Sequence, residues 1–201
     1  MPVNLDLKII EAVVFDLDNT LVSSQINFQH LREQLGCPCD QDLLTYADEL
    51  PSPTEQQQAH QLILDHELSD AASSIPMKGC KDLLSYLKGE NYHLGIITRN
   101  SATATQMKLE HCDIKIERVV SREEFAPKPA PDALLALKEE WQLNNDQILY
   151  VGDYLYDLEA ANNALMPSCL VTNELEKPFH QHASIVVEHL EELLQQFKEN
   201  S

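Results

Sequence analysis

The sequence predicts an α/β protein, a doubly wound, Rossmann-like parallel sheet core with a small α-helical cap inserted into it. Three observations carry this. Short apolar runs at residues 12–15, 94–97 and 148–151 are rich in branched side chains, as strands buried on both faces of a parallel sheet are. These runs alternate with segments whose apolar residues recur at helical spacing, the pattern of βα units. One stretch, roughly residues 21–75, breaks that alternation and carries helical spacing alone.

The elements follow in order. The run Ala12-Val13-Val14-Phe15 reads as the first strand and ends at Asp16-Leu17-Asp18-Asn19-Thr20. In the insert, Ile26, Phe28, Leu31 and Leu35 mark one helix, closed by Gly36 and Pro38. Leu43, Leu44, Tyr46 and Ala47 mark a second, ending before Pro51 and Pro53, and Thr54 is placed to cap a third through Leu68. Pro76-Met77-Lys78-Gly79 returns the chain to the core, and Leu83, Leu84 and Leu87 share a helix face. A strand over 92–97 then leads to a helix over 102–110, and a short strand near 118–120 to the Pro127-Lys128-Pro129 loop. Pro131 suits the first turn of a helix ending near Trp141. A strand over 147–151, a helix over 157–164, strands over 168–171 and 184–187, and a last helix over 188–197 complete the pattern. The expected division is a discontinuous core, 1–21 and 76–201, around a helical cap, 22–75.

Composition narrows the function. The chain has 201 residues and 43% hydrophobic residues, enough for one compact core. Its 33 acids against 14 bases give a net charge of −19, which repels nucleic acid and anionic membranes. A phosphate-handling site on such a chain must carry its own positive charge. Five cysteines at irregular spacing read as reduced thiols, and Cys37-Pro38-Cys39 lacks the second pair that a structural zinc site needs. No basic leader precedes the first strand, and no run approaches the length that spans a bilayer. The expected setting is cytoplasmic.

Three strand ends carry the chemistry. Groups at the carboxyl ends of parallel strands face the ligand crevice of a doubly wound sheet. Asp16 and Asp18, Thr98-Arg99-Asn100, and Gly152-Asp153 with Asp157 stand at such ends, and Lys128 stands in a loop stiffened by two prolines. Two nearby carboxylates attract a divalent cation, and magnesium needs only one or two of them plus waters and a phosphate oxygen. Asp153 adds a ligand from another strand, and Asp157 lies one helical turn further on, placed to hold a metal-bound water. A carboxylate also serves as nucleophile, and a second as general acid and then base, its pKa raised by its neighbour. Thr98 offers a hydroxyl and Lys128 a point charge to phosphoryl oxygens.

The ordered set DxDxT, Thr, Lys and GDxxxD resembles the haloacid dehalogenase-like hydrolase superfamily, and among its phosphatases the small phosphoglycolate-phosphatase-like members with a helical cap. The resemblance runs from about Val13 to Val171, and Lys128-Pro129-Ala130-Pro131-Asp132 matches that group's lysine context. Asn19 stands where many relatives have Gly. The resemblance implies a magnesium-dependent phosphatase acting on a small phosphorylated metabolite through an aspartyl-phosphate. Asp16 would be nucleophile and metal ligand. Asp18 would be general acid/base and give its backbone carbonyl to the metal. Thr98 and Lys128 would hold the phosphoryl group, Asp153 would ligate Mg2+, and Asp157 would support it.

Asp18 argues against a dehalogenase, which typically lacks the second aspartate of the first motif. A phosphomutase and a non-catalytic binding protein share the scaffold and stand as alternatives, because fold alone does not set reaction outcome. The cap should close over the leaving group. Phe28, His30, Arg32, Tyr46, His66 and Glu67 are its candidate substrate contacts, with Arg32 and Glu67 alternatively paired across two cap helices. Arg99 and Asn100 are expected to line the pocket, whereas His180 and His182 read as loop residues.

Overall fold

The computed structural model describes residues 2–200. Its elements are β1 (Ala12–Phe15), α1 (Phe28–Leu35), α2 (Leu43–Asp48), α3 (Pro53–Ala71), α4 (Cys80–Gly89), β2 (His93–Ile97) and α5 (Ala102–His111), followed by β3 (Arg118–Val120), α6 (Asp132–Trp141), β4 (Ile148–Gly152), α7 (Leu155–Asn163), β5 (Ser168–Val171), β6 (Ile185–Val187) and α8 (Leu190–Asn200). The strands form one six-stranded sheet in the order β3-β2-β1-β4-β5-β6, every pairing parallel.

The alternation of side chains along a strand sorts the core into two layers. Val13 and Phe15 of β1 join Leu149 and Val151 of β4 in a cluster under α4, α5 and α8. Ala12 and Val14 join Ile148 and Tyr150 in a second cluster under α6 and α7. All four residues of β1 are fully buried, and burying a Val or Phe side chain is worth about 1.5–3 kcal/mol. This is why β1 reads as an unbroken apolar run and not as an alternating one. It also puts β1 at the sheet's centre, with β2 and β4 on either side, so the ends of these three strands open together.

The helical segment has a small core of its own, built from Leu31, Cys37, Leu43, Ala47, Ala59 and Ile63. Two chain crossings tie it to the sheet. Val22 pairs antiparallel with Pro76, Ser23 N donates to Ile75 O at 2.8 Å, and Met77 N donates to Leu21 O at 2.9 Å. Two local expectations need correction. Ser52, not Thr54, caps α3, because Pro53 takes the first helical position and Ser52 Oγ accepts from Glu55 N at 3.2 Å. Helix α7 starts at Leu155, two residues early, because Asp157 serves as its third residue and accepts from Tyr154 N at 3.0 Å. Gly79 permits a tight junction: φ is +81°, and a Cβ there would lie 2.4 Å from Glu191 N at the start of α8.

Candidate active site

Asp16 extends the ladder by one bond beyond β1, its N–H donating to Val151 O at 2.8 Å. The chain then turns sharply, with Leu21 N and Val22 N both donating to Leu17 O, at 2.9 and 3.0 Å. Asn19 sits in the left-handed region at φ 56°, a conformation that Asn tolerates and Gly adopts freely. Beyond β2, Thr98 N donates to Val120 O at 3.0 Å, and Thr98 Oγ1 accepts from Asn100 N at 3.1 Å. Beyond β4, Gly152 lets α7 come in close. A Cβ there would stand 2.4 Å from Asp157 Cβ and Cγ.

These ends bring Asp16, Lys128, Asp153 and Asp157 into one cluster, and Thr98, Asn100 and Asp18 into a second. Lys128 Nζ donates to Asp16 Oδ1 at 2.5 Å, to Asp157 Oδ1 at 2.7 Å and to Ile97 O at 3.2 Å. Tyr150 Oη donates to Asp157 Oδ1 at 3.2 Å. Among the described residues, carboxylate oxygens of Asp16, Asp153 and Asp157 all lie within 4.8 Å of one another. Asn100 Nδ2 donates to Asp18 Oδ2 at 2.7 Å. Asp18's side chain is thus turned to Asn100 and stands outside the carboxylate triplet.

Crowding sets the electrostatics. Burial pushes Asp16 well above the usual carboxylate range; Lys128 opposes this, while Asp157, Asp153 and Asp18 add to it. Asp153 is raised to about 6, by burial first and by Asp157 second, against the pull of Lys177 at 3.2 Å. Burial works to lower Lys128, but Asp157 and Asp16 outweigh it and hold the ammonium well above its ordinary value. Three carboxylates crowded together with too little positive charge between them are a fitting donor set for a hard divalent cation. Asp16 and Asp153 are the first candidates for its ligands. Asp157 is already bonded through both oxygens, so it braces Lys128 and the start of α7.

Several partners were not legible in the sequence. Lys108 of α5, fully buried, pairs with Asp18 Oδ1 and with Asp70 Oδ2, the latter at 2.7 Å. Burial acts to lower its pKa, but Asp18 and then Asp70 raise it, so the group stays charged. Lys177 on Asp153 and Tyr150 on Asp157 lie 24 and 7 residues from their partners. Tyr150 stands in the middle of β4 and reads in the sequence as part of an apolar run.

Arg99 pairs with Asp42 of the helical segment and lies 5.2 Å from the Tyr156 ring centroid. Burial acts to raise Asp42, but Arg99 draws it below its ordinary value. The alternative of an Arg32–Glu67 pair does not form. Arg32 folds back on Pro38 O at 2.8 Å and on Gln41 O, because α1 ends at Gly36 and wraps those carbonyls around it. Glu67 faces the sheet core, pairing with Arg122 and accepting from Ser101 N at 3.1 Å. Of the other helical candidates, Phe28 is exposed, and His66 bonds Gln34 at 2.9 Å with its ring edge toward His30.

The sequence profile of the haloacid dehalogenase-like hydrolases matches residues 13–171. The chain belongs to this family. It is 28% identical over 191 residues to an uncharacterized hydrolase of Saccharomyces cerevisiae, covering 92% of this chain and 85% of that one. It is 22% identical to the N-acetylmuramic acid 6-phosphate phosphatase of Pseudomonas aeruginosa, covering 92% and 93% of the two chains. A predicted phosphoglycolate phosphatase from Haemophilus somnus superposes with a TM-score of 0.75 at 19% identity, covering 94% and 98%, and so shares the fold. In this haloacid dehalogenase-like hydrolase the four polar clusters stand at the three central strand ends and in the Lys128 loop. Among the described residues no helix is long and apolar enough to cross a membrane.

Proposed function

We propose that this hydrolase is a magnesium-dependent phosphatase of the phosphoglycolate-phosphatase-like kind, cleaving a small phosphorylated metabolite through an aspartyl-phosphate. The observation that carries the reading is Lys128 Nζ between Asp16 and Asp157, at 2.5 and 2.7 Å, beside the carboxylate triplet. It supplies the local positive charge that a chain of −19 needs to accept a phosphoryl group.

Asp16 is the nucleophile. Its oxygen bonds to phosphorus as the ester P–O bond breaks and the leaving oxygen takes the electron pair. Lys128, the Thr98 hydroxyl and the amides after it stabilise the phosphoryl oxygens. Asp18 gives a proton to the leaving oxygen and afterwards takes one from the attacking water. Mg2+, held by Asp16, Asp153 and the Asp18 carbonyl with Asp157 in support, would neutralise the carboxylates and the transferring group. The helices between residues 22 and 75 act as the cap, with Asp42 and Arg99 at its seam with the core. The N-acetylmuramic acid 6-phosphate phosphatase is a relative that acts on a sugar phosphate, which supports a phosphomonoester substrate.

Hydrolysis of p-nitrophenyl phosphate tests this reading, with magnesium, with EDTA and with Asp16→Asn. Turnover that needs the metal and vanishes in the variant is expected. Turnover that survives in Asp16→Asn overturns the nucleophile. None in any condition, with magnesium still bound, favours a binding protein.

A further inference from the structure

Lys108 is a charged side chain with no exposed surface, and the phosphatase chemistry above does not use it. Burying a lysine costs several kcal/mol unless its partners repay it, so its two partners are the place to look for its use. One is Asp18, the other Asp70 at the end of α3. Asp70 Oδ1 in turn accepts from Gln25 N at 2.6 Å, in the segment leaving the active-site turn.

The bonds on Asp18 show what is being held. Oδ1 accepts from Lys108 and Oδ2 accepts from Asn100 Nδ2 at 2.7 Å. Both oxygens therefore face donors on two different sides, and the carboxylate plane is fixed. Asn100 is one anchor, on the β2–α5 loop; Lys108 is the other, two turns along α5. A side chain fixed this way holds its remaining lone pairs in set directions, which is what a base needs toward one water.

We propose that Lys108 is a positioning residue that orients Asp18 for the second half of the reaction, the attack of water on the aspartyl-phosphate. The inference rests on the phosphatase reading. In that step the water oxygen bonds to phosphorus and the P–O bond to Asp16 breaks, its electron pair returning to Asp16. The water proton goes to Asp18. A misoriented Asp18 slows this step. It leaves the first step intact when the leaving group needs no proton, as with p-nitrophenolate.

The test therefore separates the two steps with p-nitrophenyl phosphate and magnesium. Lys108→Met alone leaves Asp70 as a lone buried charge and risks unfolding. The double variant Lys108→Met/Asp70→Asn removes that charge, and the side-chain amide it puts in place of the carboxylate still offers an oxygen to Gln25 N. Both variants are measured. We expect kcat to fall about 10- to 100-fold, the size of effect that misplacing a reacting group produces. KM should fall in proportion, leaving kcat/KM within about twofold, and a burst of nitrophenolate should approach one per active site. Loss of kcat/KM together with kcat, without a burst, marks a purely structural lysine and overturns the proposal; so does a double variant with wild-type kcat. Wild-type protein that shows no turnover overturns the phosphatase reading itself, and the inference with it.

Discussion

Gly152→Ala is the substitution whose consequence the geometry states most sharply. The added methyl would lie 2.4 Å from Asp157 Cβ and Cγ and 2.5 Å from Oδ2, all far inside van der Waals contact. Relief requires Asp157 to move. It is held by Lys128 at 2.7 Å, by Tyr150 Oη at 3.2 Å and by Tyr154 N at 3.0 Å, so a shift breaks bonds at the active site and at the start of α7 together. Overpacking of this kind costs about 1–3 kcal/mol, reduced by about 0.4–1 kcal/mol because Ala restricts the unfolded chain. The midpoints leave a net cost of about 1.3 kcal/mol, and at about 2–4 °C per kcal/mol for a chain of this size Tm should fall by about 3–5 °C. Differential scanning calorimetry without metal measures it. The same variant should lose about tenfold or more in turnover, since Lys128 loses its brace. A Tm within about 1 °C of wild type, with turnover unchanged, would refute the claim that close approach at Gly152 places Asp157.

Further expectations concern metal and thiols. Asp153 titrates near 6 in the folded protein against an ordinary 3.8, so across that window the folded chain keeps a proton that the unfolded chain has released. Metal-free protein should therefore lose stability as pH rises from about 4 to about 6, and added magnesium should raise Tm more at about pH 7.5 than at about pH 5. An equal shift at both pH values would separate magnesium from Asp153. Cys80 is buried, its thiol pushed up to about 12, and Cys169 is raised further still; Cys39 is exposed. In the native state a thiol reagent should label Cys39 first and leave Cys80 and Cys169 until unfolding, read by peptide mass.

Much of this arrangement was legible in the sequence because buried parallel strands leave an unbroken apolar signature, and β1 and β4 end where their polar motifs begin. The order of the motifs pointed to Asp16, Lys128, Asp153 and Asp157 as neighbours before any contact was visible, and the structure brings these four together. What escaped were residues whose role depends on docking between elements far apart in sequence. Lys108 reads as one of many helix-surface lysines, and it becomes buried only because α3 brings Asp70 against α5. Asp42 and Lys177 likewise gain meaning only from Arg99 and Asp153 across the fold. The alternative of an Arg32–Glu67 pair failed for the same reason: helical spacing marks an amphipathic face but does not say which neighbour it meets. Glu67 met Arg122 of the core, and Arg32 satisfied carbonyls within its own loop.

The central claim is that phosphoryl transfer passes through Asp16. Acid quenching of the magnesium-loaded protein during turnover of a phosphomonoester, followed by peptide mass analysis, tests it most directly. The account predicts the added mass of one phosphoryl group on the peptide that carries Asp16, and none in Asp16→Asn. Steady turnover with that peptide unmodified, or a phosphoryl group found on another residue, would contradict it.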